Sequence, residues 1–179
     1  MGHVPFPMGT AMAELRQLLA ALGAFLLACV MPRLPRQVEC DAVLARALGR
    51  VRPALEAAGA LVHGGSLPRV RGDPRQLEQV FQALLGNAAK HRGEEPPVIH
   101  VSARPAGHEW LFSVRDNGAG LDSSRHHVVF SVFSGARELP ACRQIVRRHG
   151  GRMWVESAEG EGATFYFTIP ATRDLEFAG

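Results

Sequence analysis

The sequence predicts a two-layer α+β sandwich of the α/β class, in which helices cover one face of a mixed β-sheet and one further helix precedes the sandwich. Segments with apolar residues three and four apart, typical of helices, occur between shorter segments in which apolar and polar residues alternate, typical of strands. The 179 residues, 46% apolar and 21% charged, suffice for one globular domain with a small appendage.

An apolar helix is predicted over residues 11–31. Its longest apolar run, residues 18–31, is shorter than the roughly 20 residues that cross a bilayer, so we expect no membrane span. Because the helix is apolar on most sides, another surface must cover it. We expect a partner helix, and hence a homodimer through this segment, ahead of the alternative of a membrane surface.

The globular domain is placed at residues 37–171, between an N-terminal segment (residues 1–36) and a short tail (residues 172–179). It opens with a short strand and then a helix that begins at Asp41, predicted to be its cap, and ends at Gly59. Two short strands are predicted after this helix, at residues 60–63 and 68–71.

The next helix begins with clear start signals, since Asp73 is a suitable cap and Pro74 suits the first helical position. Two polar residues, Asn87 and Lys90, lie three apart beside its apolar stripe. An Asn oxygen suits magnesium and a Lys ammonium suits phosphate, although both are also ordinary solvated surface residues. The residues of the apolar stripe are Leu77, Val80, Phe81, Leu84, Leu85 and Ala88.

Alternating segments at residues 98–104 and 109–115 predict a β-hairpin. The glycine-rich loop at residues 116–120 follows it, and its glycines would let the backbone approach a flat ligand closely. Its Asp could accept a hydrogen bond from an exocyclic amine such as that of adenine, although Asp-Asn-Gly alone is typical of a tight turn. The domain ends with a helix at about 140–149 and strands at 152–157 and 163–169.

Taken together, four segments resemble the ATP-binding domain of sensor histidine kinases, within the gyrase, Hsp90, histidine kinase and MutL (GHKL) ATPase superfamily. The sequences of these segments are most similar to those of kinases of the bacteriophytochrome type, and the resemblance covers residues 37–170. It implies a mixed sheet with helices on one face. The four segments are DPRQLEQVF at 73–81, NAAK at 87–90, DNGAG at 116–120 and HGGRMWVES at 149–157.

The resemblance also implies site residues on the adenine side of an ATP pocket. Asp116 matches the carboxylate that binds the adenine amino group, and Gly118 and Gly120 match the glycines of the pocket floor. Thr164 matches a hydroxyl near the adenine.

On the phosphate side, the resemblance implies three further residues and the cofactors ATP and Mg²⁺. Asn87 matches the residue that holds magnesium, and Lys90 and His91 match phosphate contacts. Four residues before Asn87, however, Ala83 stands where the family commonly has a polar residue. A methyl group neither takes a proton nor orients water, so no catalytic residue is predicted.

The nucleotide lid of the family is a long segment that ends in a second glycine-rich box, which cradles the phosphates. Here only the eight residues 134–141 separate Phe133 from Cys142. The box glycines align with Ala136 and Glu138, and a carboxylate there would repel a triphosphate. The second box is therefore predicted to be missing.

The phosphoacceptor histidine of the family belongs on a helix, and residues 11–31 contain no histidine. Either it lies elsewhere in a longer protein or the protein lacks one. The leading prediction is thus a degenerate histidine-kinase-like domain of a two-component protein, with weak or no ATP binding, that docks a response regulator or a partner kinase domain. The alternative is an active catalytic domain that phosphorylates a histidine outside this chain; a phosphotransfer adaptor is a third, weaker reading.

Charge and cysteine content bear on partners and compartment. The net charge of +3 is too mild for a dedicated nucleic-acid binder, and we do not expect nucleic acid as a partner. Arginines at the end of the last helix form either a solvated surface or a partner site. Three widely spaced cysteines build neither a disulfide framework nor a zinc site, which indicates the cytoplasm.

Overall fold

The computed structural model describes residues 36–120 and 138–171. The predicted helix at 11–31, the lid segment up to residue 137 and the tail at 172–179 lie outside these residues, whereas residues 138–141 of the lid segment are described as the start of a helix. The predicted α+β fold is confirmed, with a five-stranded mixed sheet and three helices in the described part of the chain. The elements are β1 (Arg36–Glu39), α1 (Cys40–Ala58), β2 (Leu61–Gly64), β3 (Arg69–Gly72), α2 (Pro74–Lys90), β4 (Val98–Ala106), β5 (Glu109–Asp116), α3 (Glu138–Arg148), β6 (Met153–Ser157) and β7 (Ala163–Pro170).

The large sheet has the strand order β2-β4-β5-β7-β6. Strand β2 runs parallel to β4, and every other neighbouring pair is antiparallel, so the sheet is mixed as predicted. The predicted hairpin joins β4 and β5 at Gly107, whose φ of +63° is accessible to glycine without strain. Among the described residues, no helix is both long and apolar enough to span a bilayer.

Strands β1 and β3 form a separate two-stranded antiparallel ladder, with Val38 opposite Val70. The sequence predicts both strands but not their pairing apart from the large sheet. Helix α1 lies between them in the chain, and local apolar patterns carry no information about which distant strand completes a ladder.

The helices begin in two different ways. At α2 the prediction is confirmed, because the Asp73 carboxylate accepts a hydrogen bond from Arg75 N (2.9 Å) and Pro74 follows the cap. At α1 the predicted cap is wrong: Glu39 is the cap residue, and the carboxylate of Asp41 accepts instead from Leu67 N (2.9 Å). Asp41 thus fastens the loop before β3 to the first turn of the helix.

Three phenylalanines fix α2 to the centre of the sheet. Phe112 of β5 and Phe167 of β7 stack with ring centroids 4.7 Å apart, and Phe81 of α2 meets Phe167 edge to face at 5.7 Å. All three are fully buried, and such pairs add about 0.5–1.5 kcal/mol each beyond the burial of their area. The whole predicted stripe of α2 is buried with them, which sets the position of the polar residues beside it.

Candidate functional site

The glycine-rich loop after β5 is organised around one buried carboxylate. Asp116 is only 6% exposed, and its Oδ1 accepts hydrogen bonds from Gly118 N (2.9 Å) and Ala163 N (3.3 Å). Burial raises the pKa of Asp116, while these two bonds and the neighbouring His91 act in the opposite direction. Within residues 36–120 and 138–171, Oδ2 accepts no hydrogen bond, so this oxygen is available to an external donor.

Close backbone approaches explain why glycines occupy this loop. A Cβ on Gly118 would lie 2.5 Å from the carbonyl oxygen of His91 and 2.8 Å from Asp116 Oδ1. Gly120 and Gly162 have φ of +67° and +80°, and a Cβ on either would collide with a backbone carbonyl. The sequence predicts Gly118 and Gly120 as the pocket floor, whereas Gly162 is a further requirement of the same turn.

Hydrogen bonds fasten the loop to its neighbours. Asn117 Oδ1 accepts from Val98 N (2.7 Å) at the start of β4. Ala119 N donates to the carbonyl of His91 (3.2 Å), and the carbonyl of Ala119 accepts from Gly160 N (2.8 Å). Asn117 is a positioning residue that the sequence reasoning missed; the available clue was an Asn at a strand end, where its short side chain commonly bonds nearby backbone.

The structure does not place the side chain of Thr164 beside the Asp116 carboxylate. The register of β5 and β7 places Asp116 opposite Ala163 and Arg115 opposite Thr164. Because successive strand residues point to opposite faces, Thr164 lies on the face of exposed Arg115, away from Asp116. The backbone N–H of Ala163 donates a hydrogen bond to the Asp116 carboxylate instead. Thr164 is one residue further along β7, and a step of one residue along a strand turns the side chain to the opposite face of the sheet.

The last turns of α2 form the other part of the predicted site. Asn87 is half-buried, and within the described residues its carboxamide makes no hydrogen bond. Lys90 is exposed and forms no ion pair with a described carboxylate. Ala83, one turn before Asn87, is 7% exposed and belongs to the apolar core. Two polar groups are therefore free for a ligand, but no polar group accompanies them at position 83.

His91, which is predicted to contact a phosphate, also contacts the glycine loop. Its carbonyl accepts from Ala119 N, and its imidazole interacts electrostatically with Asp116. Partial burial, and then the charge of Lys90, lower the pKa of His91, with Asp116 acting in the opposite direction. Both effects disfavour the charged form of the imidazole relative to an exposed histidine.

No ready-made metal site accompanies these residues: in the described ranges, three or more His, Cys, Asp or Glu side chains do not cluster. A magnesium ion would rely on the Asn87 oxygen together with phosphate oxygens and water. That arrangement is chemically suitable, since magnesium commonly keeps several waters and takes few protein ligands.

Comparison with known proteins identifies the family. A family model described as "Histidine kinase-, DNA gyrase B-, and HSP90-like ATPase" matches residues 72–173, more than half of the chain. The chain belongs to this family. The resemblance stated from the sequence is thereby confirmed, while the roles of individual residues remain predictions.

Relatives within the family include phytochromes. Cyanobacterial phytochrome A of Nostoc is 46% identical over 142 residues, and phytochrome-like protein Cph1 of Synechocystis is 36% identical over 142 residues. Each alignment covers 74% of this chain and 19% of the relative, so the chain spans about a fifth of the length of these curated relatives. The catalytic domain of histidine kinase ThkA has the same fold, with a TM-score of 0.68 and 22% identity over 77% of this chain and 96% of that domain.

Proposed function

We propose that this chain is a histidine-kinase-like domain that keeps the adenine end of a nucleotide site and lacks an effective phosphate end. The observation that carries the proposal is the contrast between Asp116 and Ala83. Asp116 is buried and fixed by two backbone donors through Oδ1, and no described residue donates to its Oδ2. Ala83 offers a methyl group where phosphate-side chemistry needs a polar one.

At the adenine end, Oδ2 of Asp116 would accept a hydrogen bond from the amino group of ATP or ADP. Gly118 and Gly120 would let the ring lie against the backbone, since neither presents a side chain. At the other end, Asn87 would hold Mg²⁺ and Lys90 would contact a phosphate. Bound ATP would supply the transferable phosphoryl group.

Three features weaken the phosphate end. Position 83 is apolar, burial and the charge of Lys90 lower the pKa of His91 and so disfavour its charged form, and the sequence has only eight residues where the family has its lid and second glycine box. Phosphoryl transfer depends almost wholly on positioning and charge stabilisation, which are the contributions these features remove. We therefore infer weak nucleotide binding and a regulatory rather than a catalytic role.

The regulatory role we infer is docking of a response regulator or a partner kinase domain, as part of a phytochrome-type or other two-component protein, with homodimerisation through the N-terminal helix. The relatives of this chain support it, since they include phytochromes and a sensory kinase. Cys40 and Cys142 are buried free thiols whose pKa burial raises to about 12, which makes them unreactive and suits a reducing cytoplasm.

Calorimetric titration with ADP and with a non-hydrolysable ATP analogue tests the proposal. Because the γ-phosphate would find no cradle, we expect both ligands to bind weakly and within about twofold of each other. An analogue that binds about tenfold or more tightly than ADP would contradict it.

The alternative function is an active catalytic domain that phosphorylates a histidine outside this chain. The Asn87 carboxamide, which has no hydrogen-bond partner among the described residues, and the exposed Lys90 favour it. Its test is transfer of the labelled γ-phosphate of ATP to a histidine-bearing helical hairpin supplied separately. Label on that histidine, lost in Asn87→Ala, would establish the alternative; unlabelled hairpin alongside an active control kinase would exclude it.

A further inference from the structure

Opposite the candidate nucleotide site, three parts of the fold meet: the β1–β3 ladder, the start of α2 and the end of α3. His149 joins them, because its Nε2 accepts a hydrogen bond from Asp73 N (3.0 Å) and its Nδ1 donates to the carbonyl of Ile145 (2.8 Å). Five exposed arginines lie at or near this junction in the chain or in the β1–β3 ladder, and we call them together the arginine end: Arg36, Arg71, Arg75, Arg147 and Arg148.

Packing at the junction places the backbone positions of these arginines at one end of the domain. Gly72 packs directly on the His149 ring, so closely that a Cβ would lie 2.8 Å from a ring carbon, and Arg36 is the strand partner of Gly72. The other four arginines each lie within two residues of Gly72, Asp73 or His149 in the chain. The junction therefore fixes the backbone of all five.

Within the described residues, the arginines of the arginine end form no ion pair that would neutralise their charge. All five arginines are exposed. Elsewhere the chain does pair its arginines, for example Arg46 with Glu78 (3.1 Å) and Arg52 with Glu56 (2.7 Å). The nearest carboxylate in sequence, that of Asp73, is occupied as the cap of α2.

The geometry suits several separate carboxylates better than one phosphate. A discrete phosphate at a helix start needs free backbone N–H groups. Here Asp73 N is bonded to His149, Pro74 has no N–H, and Arg75 N is bonded to the Asp73 side chain. Guanidinium groups spread over four elements instead match carboxylates spread over a protein surface, each of which an arginine can bind with two parallel hydrogen bonds.

Single-stranded nucleic acid suits this surface less well. Its binding sites combine basic groups with aromatic rings on which bases stack. In the described ranges, an arginine lies over an aromatic ring at Arg152 and Trp154, with 5.7 Å to the ring centroid, and neither residue belongs to the arginine end.

The arginine end is also remote from the nucleotide residues. Helix α2 places Arg75 in its first turn and Asn87 and Lys90 in its last, and a rise of 1.5 Å per residue separates these turns by about 20 Å. A partner at the arginine end would leave the glycine loop accessible.

We propose that the arginine end is the docking surface for a protein partner that presents clustered aspartate and glutamate carboxylates. This inference rests on the docking role under the proposed function and gives that role a location. It adds a partner chemistry and a set of residues that are separate from the nucleotide site.

The test measures binding of a fluorescent peptide rich in Asp and Glu to the full chain. Two double variants carry the same change in net charge: Arg75→Glu with Arg147→Glu in the arginine end, and Arg104→Glu with Arg115→Glu on exposed positions of β4 and β5. Since like charges facing each other oppose association strongly, we expect at least about a tenfold loss of peptide affinity in the first variant and less than about a twofold loss in the second.

Several results would overturn the inference. They are equal losses in the two variants, absence of peptide binding, or tighter binding of double-stranded DNA or of vesicles containing anionic lipid than of the peptide. ADP affinity, measured on the same proteins, separates this inference from the proposed function. An unchanged weak ADP affinity with no peptide binding would refute the docking surface alone, and strong binding of the ATP analogue over ADP would refute the proposed function alone.

Discussion

The glycine loop after β5 and the last turn of α2 both face the predicted nucleotide site, but the fold holds them in different ways. In the loop, Asp116 is hydrogen-bonded to Ala163 of β7, Asn117 to Val98 of β4, and Ala119 to the backbone of His91 and Gly160. In the helix, the side chains of Asn87 and Lys90 make no such bonds to described residues. The loop geometry is thus part of the stability of the domain, whereas the phosphate-side groups can be lost at little cost to folding.

Ala83 illustrates that difference. It is buried in the apolar face of α2, where a polar side chain would have to find a partner or lose its solvation. An alanine in place of a polar residue at position 83 removes a group that could act on a ligand. It also removes the free-energy cost of burying that polar group. In a domain that is no longer selected for catalysis, we therefore expect the residue at position 83 to change and Asp116 to be retained.

The largest expected effect is a loss of unfolding free energy, and it should differ between two glycines of the same turn. Gly162→Ala places a methyl group against the carbonyl of Asp116 at a φ of +80°, and we expect a loss of about 3 kcal/mol or more in unfolding free energy, because both a backbone collision and a left-handed conformation oppose it. Gly160→Ala is the matched control: its φ is +79° but the space is open, so the expected loss is about 1 kcal/mol. Urea denaturation measures both, and equal losses would show that the close approach is unimportant.

Asp116→Asn should weaken nucleotide binding while it strengthens the fold. The amide replaces one carboxylate oxygen by a donor that faces the adenine amino group, so ADP affinity should fall about tenfold or more. Burial raises the pKa of Asp116, which means that its charged form is disfavoured in the folded protein. At neutral pH the uncharged Asn should therefore give equal or higher thermal stability. Calorimetry and thermal unfolding check the two directions, and a variant that loses stability but keeps ADP affinity would contradict both.

The pH dependence of ADP binding follows from the same carboxylate. Its folded pKa lies above the ordinary 3.8, so protonation begins at higher pH than for an exposed Asp. The unliganded folded state binds more protons than the unfolded one in this window, and its stability falls as pH rises through it. ADP requires the charged form, so its affinity should fall as pH drops through the raised pKa, by at most about tenfold per pH unit. A flat profile between neutral pH and the onset of acid unfolding would count against Asp116 as the adenine acceptor.

Asn87→Ala has the smallest expected effect. If the phosphate end is ineffective, removing the predicted magnesium ligand should change ADP affinity by less than about twofold, because one oxygen ligand adds little when the phosphates are not held. The same titrations, with magnesium present, measure it. A large loss here would make the two regions equally important and favour the active kinase.

Local signals predicted the parts of the fold that local interactions determine. The cap at Asp73, the apolar stripe of α2, the β4–β5 hairpin and the turn from Asp116 to Gly118 all depend on residues close in sequence. The β1–β3 ladder, the Leu67 bond of Asp41 and the His149–Asp73 junction join distant segments, and no local pattern specifies them. For Thr164 the strand was predicted, but which face its side chain occupies depends on the register with β5.

The most direct test is the ratio of ADP affinities measured by calorimetry with and without magnesium. A retained adenine end without an effective phosphate end predicts weak binding and a ratio within about twofold of one, since adenine contacts do not involve the ion. Tight binding that magnesium strengthens about tenfold or more would contradict it and would mean that the phosphate end is intact.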